Sequence, residues 1–525
     1  MLRPEQVEDY AQRCAAAFDD LELDILLDIA RRIANANYMT EGAQWQAERA
    51  QALGASRKHL AERMEQLMAD AAPQVAAIFA QAMLEAEEQD NRFYRAAGQP
   101  EPEGIGTSAV AQQLAQSGYR RTMNTLYNLT QTRALMGNHN LPVAVQEQLG
   151  RLLDQGHLSV ASGAFSYDQV VRRSIKELAA SGVDAITYPS GHTDKLETVV
   201  LRAMRTGINQ TAMDISQHNA ESMDVDIMEL TAHGGARTGD GQADFTNHSW
   251  WQGKLVSLSG QPGYLTLDDI GYGDVRGFAG ANCRHNWHPF WPGISKPAYT
   301  QEMLDEYNRP KFPYNGQLLT EEQADRRQRA LERQIRRWKR EYVLAKLQAD
   351  LQSAAAGRLA AARGRLDDFL QQTGRHKQQL RETVPGFGRS EASSAVWAAR
   401  RLQAEQNNAI LIENLRTAGN LPQKAQIHLT PKELDLAELS FDDTHVNQER
   451  QHHISEAQAK EFIQQAAISV TVWNGRFERY YSQNGVAYVD LLKKEIRTAY
   501  GKAEYDASTQ ALMEALEQNG LFREY

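Results

Sequence analysis

The chain has little cysteine. Two residues in 525, Cys14 and Cys283, cannot build a disulfide framework, and a reducing compartment is the simplest setting for synthesis. Basic charge is not in excess either. The 57 Lys and Arg stand against 67 Asp and Glu, a net charge of −10, which excludes a whole-chain coat for nucleic acid and leaves only local basic patches. No uninterrupted apolar run approaches the ~18 residues of a spanning helix, so no membrane partner is expected. The first residues, Met-Leu-Arg-Pro-Glu-Gln, carry no apolar stretch of the secretory kind, which predicts synthesis in the cytosol.

What is present is ordinary for a soluble globular protein, with 42% hydrophobic and 24% charged residues. The length predicts several cores, about three or four domains. The expected fold class is multidomain α+β, in four regions. Residues 1–180 read as a helical scaffold: Leu21, Ile25, Leu26 and Ile29 keep one helical face, with Pro/Gly breaks at 98–106 and 137–142. Residues 181–310 read as an α+β domain, with strands at 184–188 and 225–231, a helix at 193–220, and a turn at 189–191.

Residues 311–418 read as a helical or coiled-coil spacer that starts at a Thr320-Glu-Glu-Gln capping box. Leu331, Ile335, Trp338, Tyr342, Ala345 and Ala349 alternate spacings of four and three, the seam of a short coiled coil, for self-association or as a rigid spacer. Arg326, Arg327, Arg333, Arg336, Arg337, Lys339 and Arg340 make its first half basic, which reads as a solvated helix face. Residues 419–525 read as a small unit of helix plus antiparallel sheet. A helix capped at Ser455 precedes strands at 468–473, 476–481, 486–490 and 495–500, with a hairpin turn at Asn484-Gly485.

One block concentrates reactive residue types: His233-Gly-Gly-Ala-Arg237, His248-Ser-Trp-Trp-Gln-Gly-Lys254, and Asn282-Cys-Arg-His-Asn-Trp-His-Pro-Phe-Trp-Pro-Gly293. Cys283, His285 and His288 have zinc-ligand chemistry, and His233 or His248 could complete a set. The spacing is that of no standard finger. The alternative is a loop-rich core around Trp250, Trp251, Trp287, Phe290 and Trp291, in which the polar groups satisfy one another.

Arg237-Thr-Gly, His248-Ser-Trp-Trp-Gln-Gly and Gly280-Ala-Asn-Cys-Arg-His-Asn-Trp-His-Pro-Phe together resemble the phage minor capsid protein 2 family, over about residues 1–310. The order of Arg, His and Cys-Arg is similar to the wider Mu F-like minor head proteins. The resemblance implies a virion component near the portal, needed for head assembly or DNA delivery. The portal protein, other capsid proteins and phage DNA would be its partners. No enzymatic activity is expected in residues 1–418.

A second cluster, Asp443-Thr-His-Val-Asn-Gln-Glu-Arg-Gln-His-His-Ile-Ser455, precedes strands rich in Tyr and Arg. Metal-free RNA cleavage needs a base for the 2′-hydroxyl proton, an acid for the leaving 5′-oxygen and a cation over the phosphate, roles that His and Arg suit at neutral pH. Candidate residues are His445, Arg450, His452, His453, Tyr481 and Arg497, with tyrosines available to stack on bases. Residues 425–510 resemble phage-borne nuclease domains of the barnase–EndoU–colicin–RelE type, which implies an RNase with no cofactor. A binding module that does not cut, and zinc held by His445, His452 and His453, are the alternatives.

Overall fold

The computed structural model describes residues 2–40, 42–130, 141–187, 193–346 and 348–522; the turn expected at 189–191 and residues 137–140 of the break expected at 137–142 lie outside them, while Leu141-Pro142 opens a helix instead of breaking the chain. The chain divides into two compact units, Met1–Ala399 and Arg400–Tyr525, where the sequence suggested four regions.

The first unit opens with α1 (Pro4–Asn35), whose start is fixed by Pro4 and by the Gln6 side chain accepting from the Arg3 N–H at 2.9 Å. Leu21, Ile25, Leu26 and Ile29 are all buried, on the face that their spacing predicts. Next comes α2 (Gly42–Ala96), which continues through Pro73. By length and composition it could cross a membrane, with an 18-residue window of mean hydropathy 1.3. Its Trp45, Leu60, Met64, Ala71 and Val75 instead join a core with α1, α4 (Leu141–Ala161), α5 (Tyr167–Ser181) and α6 (Leu196–Ser222). Polar residues interrupt the window, which is why no continuous apolar run shows in the sequence.

The contact of α3 (Ala109–Thr130) with α6 is unusually close. A Cβ added at Gly118 would lie 1.9 Å from the Thr211 hydroxyl, and one at Gly207 would lie 1.9 Å from the Thr122 hydroxyl. The pairing is reciprocal, and only glycine admits it.

Between α5 and α6 runs a short hairpin, β1 (Asp184–Thr187) and β2 (Thr193–Lys195). The expected helix at 193–220 therefore starts three residues late, because the strand takes its first turn. A three-stranded antiparallel sheet follows, in the order β4 (Leu255–Ser257), β3 (Ile227–Leu230), β5 (Trp287–Pro289). Its register sets Glu229 opposite His288 and Leu230 opposite Trp287. The one-turn helix α7 (His248–Trp251) lies between β3 and β4, and α8 (Gln301–Asn308) with the hairpin β6 (Phe312–Tyr314) and β7 (Gln317–Leu319) comes after β5.

The capping box at Thr320 starts α9 (Glu321–Leu344), which folds back on α10 (Ala349–Thr373). Arg358 bonds Glu341 at 3.4 Å, Arg365 bonds Gln334 at 3.1 Å, and Arg375 bonds Gln328 at 3.0 Å, the ladder of an antiparallel pair. Leu331, Ile335 and Tyr342 pack against Ala355, Leu359, Leu366 and Phe369. The apolar seam is thus filled from within the chain. The basic residues divide: Arg326, Arg327 and Arg333 are exposed, as a solvated face requires, and the later ones are not. Arg336 and Lys339 are buried, Arg340 reaches Glu22 at 3.0 Å, and Lys339 donates to the Glu382 carbonyl at 2.6 Å. The acid that meets Arg336 and Arg340, Glu22, lies on α1, some three hundred residues away, so the sequence pattern alone could not show the docking.

The long helix α11 (Arg389–Ala418) runs from the first unit into the second. The second unit is a six-stranded sheet in the order β8 (Gln426–His428), β10 (Ala466–Val472), β11 (Phe477–Ser482), β12 (Gly485–Asp490), β13 (Glu495–Gly501), β9 (Ser440–Phe441). All pairs are antiparallel except β13 with β9. One face packs on α12 (Glu456–Gln464), and the other on the end of α11 and on α13 (Ala507–Gln518). Successive residues alternate between these cores: Tyr480 enters the first and Tyr481 the second. At Gly485 a Cβ would meet the Phe462 ring at 2.3 Å, so the hairpin glycine also lets α12 sit on the sheet.

Candidate functional site

The aromatic block forms a buried core under β3–β5. Trp251 and Trp287 are fully enclosed, and their indole N–H groups donate to the Phe245 carbonyl at 3.1 Å and the Met213 carbonyl at 3.4 Å. Within it, His248, Cys283 and His285 come together, their ligand atoms all within 4.8 Å of one another. The sulfur lies 3.8 Å from His248 Nδ1 and 3.7 Å from His285 Nδ1. Ala279 and Asn282, both with left-handed backbone at φ 61° and 58°, tighten the loop that delivers Cys283.

The tautomers follow from the surroundings. His248 Nε2 lies 2.9 Å from the Arg276 carbonyl, an acceptor only, so Nε2 carries the proton. Gln252 Oε1 accepts the His233 backbone N–H at 3.1 Å, which identifies it as oxygen, and His285 Nε2 lies 3.1 Å from it and must donate. Both Nδ1 atoms therefore turn a lone pair towards the same sulfur. Burial favours these neutral forms. It pushes His248 down to about 4, moves His285 well below the usual imidazole range, and lifts the Cys283 thiol to about 11.

His288 stands elsewhere. Its ring stacks on Phe93 at 3.7 Å between centroids, and its Nε2 lies 3.6 Å from Glu229 Oε2. Burial pushes His288 down to about 3 and Glu229 up to about 7, favouring the neutral form of each. Of the three residues with ligand chemistry in the third motif, the fold joins Cys283 and His285, and adds His248 from the second. Burial and loop closure set that choice, and spacing could not reveal it.

A cavity of about 280 Å³ opens beside the cluster, lined among others by His233, His248, His285, Arg237, Arg284 and Arg329. Its charged wall is anchored by Glu8 of α1. That buried carboxylate meets Arg205 of α6 at 2.6 Å and Arg329 of α9 at 2.7 Å, with Arg381 at 3.7 Å. Burial opposes its ionisation, but Arg205 and Arg329 outweigh it and hold Glu8 far below the ordinary carboxylate range. Arg205 also reaches Asn282 Oδ1 at 2.7 Å, which ties the helices to the cysteine loop.

In the second unit the histidine cluster lies on a single wide turn, Thr444–Glu449, and the loop after it. His445 Nδ1 pairs with Glu449 at 2.7 Å, and His452 Nδ1 with Glu504 at 2.6 Å, its ring 5.6 Å from Tyr500. Asp442 joins two candidates by accepting the His445 backbone N–H at 3.0 Å and an ion pair from Arg497. Arg450 and His453 are exposed, and His453 has left-handed backbone at φ 54°. Tyr481 is buried between the sheet and the helices α11 and α13, so its hydroxyl is not offered to a substrate; its apolar neighbours outweigh its polar end.

A further constellation escaped the sequence. On β8, β10 and β11, the fully buried Glu478 accepts from Lys432 at 3.1 Å and from the Thr471 hydroxyl, while His428 Nε2 lies 2.9 Å from that hydroxyl. The four residues span about fifty positions and share no motif; the pairing of β10 with both β8 and β11 brings them together.

Comparison with known proteins identifies the class to which this architecture belongs. The model of the family described as phage minor capsid protein 2 matches residues 2–371. A structural protein of Lactococcus phage LL-H is 24% identical over 36% of this chain and 47% of its own length. A structural protein of Lactococcus phage mv4 is 31% identical over 16% of this chain and 59% of its own length. The chain thus spans about half the length of these relatives, and no solved structure matches it. Its class is that of the phage structural proteins. Within that class, the chain belongs to the phage minor capsid protein 2 family.

Proposed function

We propose that this protein is a minor structural component of a phage head, made in the host cytoplasm and placed near the portal, with the portal protein and other capsid proteins as partners. The family match over residues 2–371 carries this reading, because it covers nearly all of the first unit. Quantitative mass spectrometry of purified particles tests it. The chain is expected at a few copies per particle and in isolated portal complexes; its absence from particles would remove the assignment.

The second unit lies beyond the matched residues, and we propose that it is an RNA-cleaving effector carried by the particle. Two imidazole–carboxylate pairs support this, one on the turn and one joining the loop after it to Glu504, each a base oriented by an acid. His445 would take the 2′-hydroxyl proton, so that O2′ bonds to phosphorus. The 5′-oxygen would leave with a proton from His452, and the exposed Arg450 would face the phosphate. Arg497, tied to Asp442, would hold the turn in place. The full-length protein is expected to cleave RNA with and without EDTA, and His445→Ala or His452→Ala to lower the rate by about 100-fold or more. Intact RNA in both conditions would exclude the activity. Retarded but uncut RNA would instead favour a binding module, which the exposed Trp473 and Leu492 would suit.

A further inference from the structure

We propose that His248, Cys283 and His285 bind one divalent metal ion of borderline softness, zinc above all, that locks the cysteine loop onto the small sheet. The donor set is the one such an ion prefers, a thiolate and two imidazoles. For tetrahedral zinc with bonds of about 2.3 Å to sulfur and 2.0–2.1 Å to nitrogen, sulfur and nitrogen ligands stand about 3.6 Å apart. The two separations here are 3.8 and 3.7 Å.

The hydrogen bonding points the same way. One thiol carries one proton, yet two Nδ1 lone pairs face it, so at most one of them gains a donor. An ion at their centre satisfies both. Each ring is already fixed from behind, His248 by the Arg276 carbonyl and His285 by Gln252, the outer-shell support that orients metal-binding histidines. His248 and His285 line the cavity, which gives the ion an entry path and a water molecule the fourth position. The guanidinium groups nearby are turned away: Arg237 donates to the Ala281 carbonyl at 2.9 Å, and Arg284 lies 3.8 Å from Asp325.

Binding replaces the thiol proton by the metal. Cys283 releases one H⁺ to solvent as the sulfur–metal bond forms, with no change of oxidation state.

The test uses full-length protein, stripped with a chelator and titrated with zinc chloride or cobalt(II) chloride. One zinc per chain is expected by elemental analysis, with release of one proton by calorimetry in buffers of different ionisation enthalpy. Cobalt should give the near-ultraviolet thiolate charge-transfer band and the intense visible bands of a tetrahedral site. Cys283→Ser should abolish the thiolate band and His248→Asn should weaken binding at least 10-fold, whereas His288→Gln should bind as the wild type does. A folded wild-type protein that takes up no zinc, or cobalt bound without a thiolate band, would overturn the site. So would loss of binding in His288→Gln together with retention in His248→Asn. The wild-type spectrum decides even where a variant fails to fold.

Discussion

Glu229 and His288 show how a single buried pair writes itself into the pH dependence of the fold. Burial lifts Glu229 from 4.5 to about 7, so its contribution is fully present below pH 4.5 and is lost as the pH rises through about 7. His288, depressed from 6.5 to about 3, contributes above pH 6.5 and loses that contribution as the pH falls towards 3. Glu229→Gln keeps an acceptor for the Ala298 and Tyr299 N–H groups and removes the alkaline loss. The variant should gain on the wild type between pH 4.5 and 7, by roughly 3 kcal/mol at the limit. Urea unfolding at pH 5 and pH 8 checks this, and a difference that ignores pH would contradict it. At Glu478 the opposite is expected. Glu478→Ala leaves the partly exposed Lys432 and the buried Thr471 hydroxyl without their acceptor and should cost about 1–3 kcal/mol in the same assay. Neither residue stood out in the sequence, because a lone glutamate in a strand gives no sign of what the next strand brings to it.

At the scale of elements, the contact of α3 with α6 inverts a general rule. A helical glycine replaced by alanine usually gains about 1 kcal/mol. Here Gly207→Ala and Gly118→Ala drive a methyl into Thr122 and Thr211, and each should lose about 1–3 kcal/mol, read from the thermal midpoint. The docking of α9 is equally specific. Glu8→Gln leaves Arg205 and Arg329 without their counter-charge, and a loss of about 3–5 kcal/mol is expected. Much of this level was legible. The apolar face of α1, the capping boxes at Thr320 and Ser455, and the four longer strands of the second unit all follow from local pattern. What stayed hidden was non-local: the partner of the α9 seam, the acid under its arginines, the short strands β8 and β9, and which of the candidate histidines joins Cys283 and His285. Periodicity reports which face of an element is buried and is silent about what buries it.

For the molecule as a whole, the boundary between the two compact units falls inside α11, near Ala399 and Arg400. From Arg401 to Ile410 the side chains are almost all exposed, so this stretch of helix lacks the packing that stabilises helices in proteins. Brief trypsin treatment should therefore cut first at Arg400 or Arg401 and leave two resistant fragments. Early cuts within residues 420–522 would show that the second unit is not compact in solution.

The two thiols carry a last consequence. Cys14 and Cys283 are both buried, and burial lifts the Cys14 thiol to about 12. A particle that leaves its host enters an oxidising world with no reductase to repair it. Cys14, which neither meets solvent nor ionises, is spared mixed disulfides and sulfenic acid there. On the proposed role in a phage head, the protein would not age at Cys14, and the ion proposed at Cys283 would guard the other sulfur.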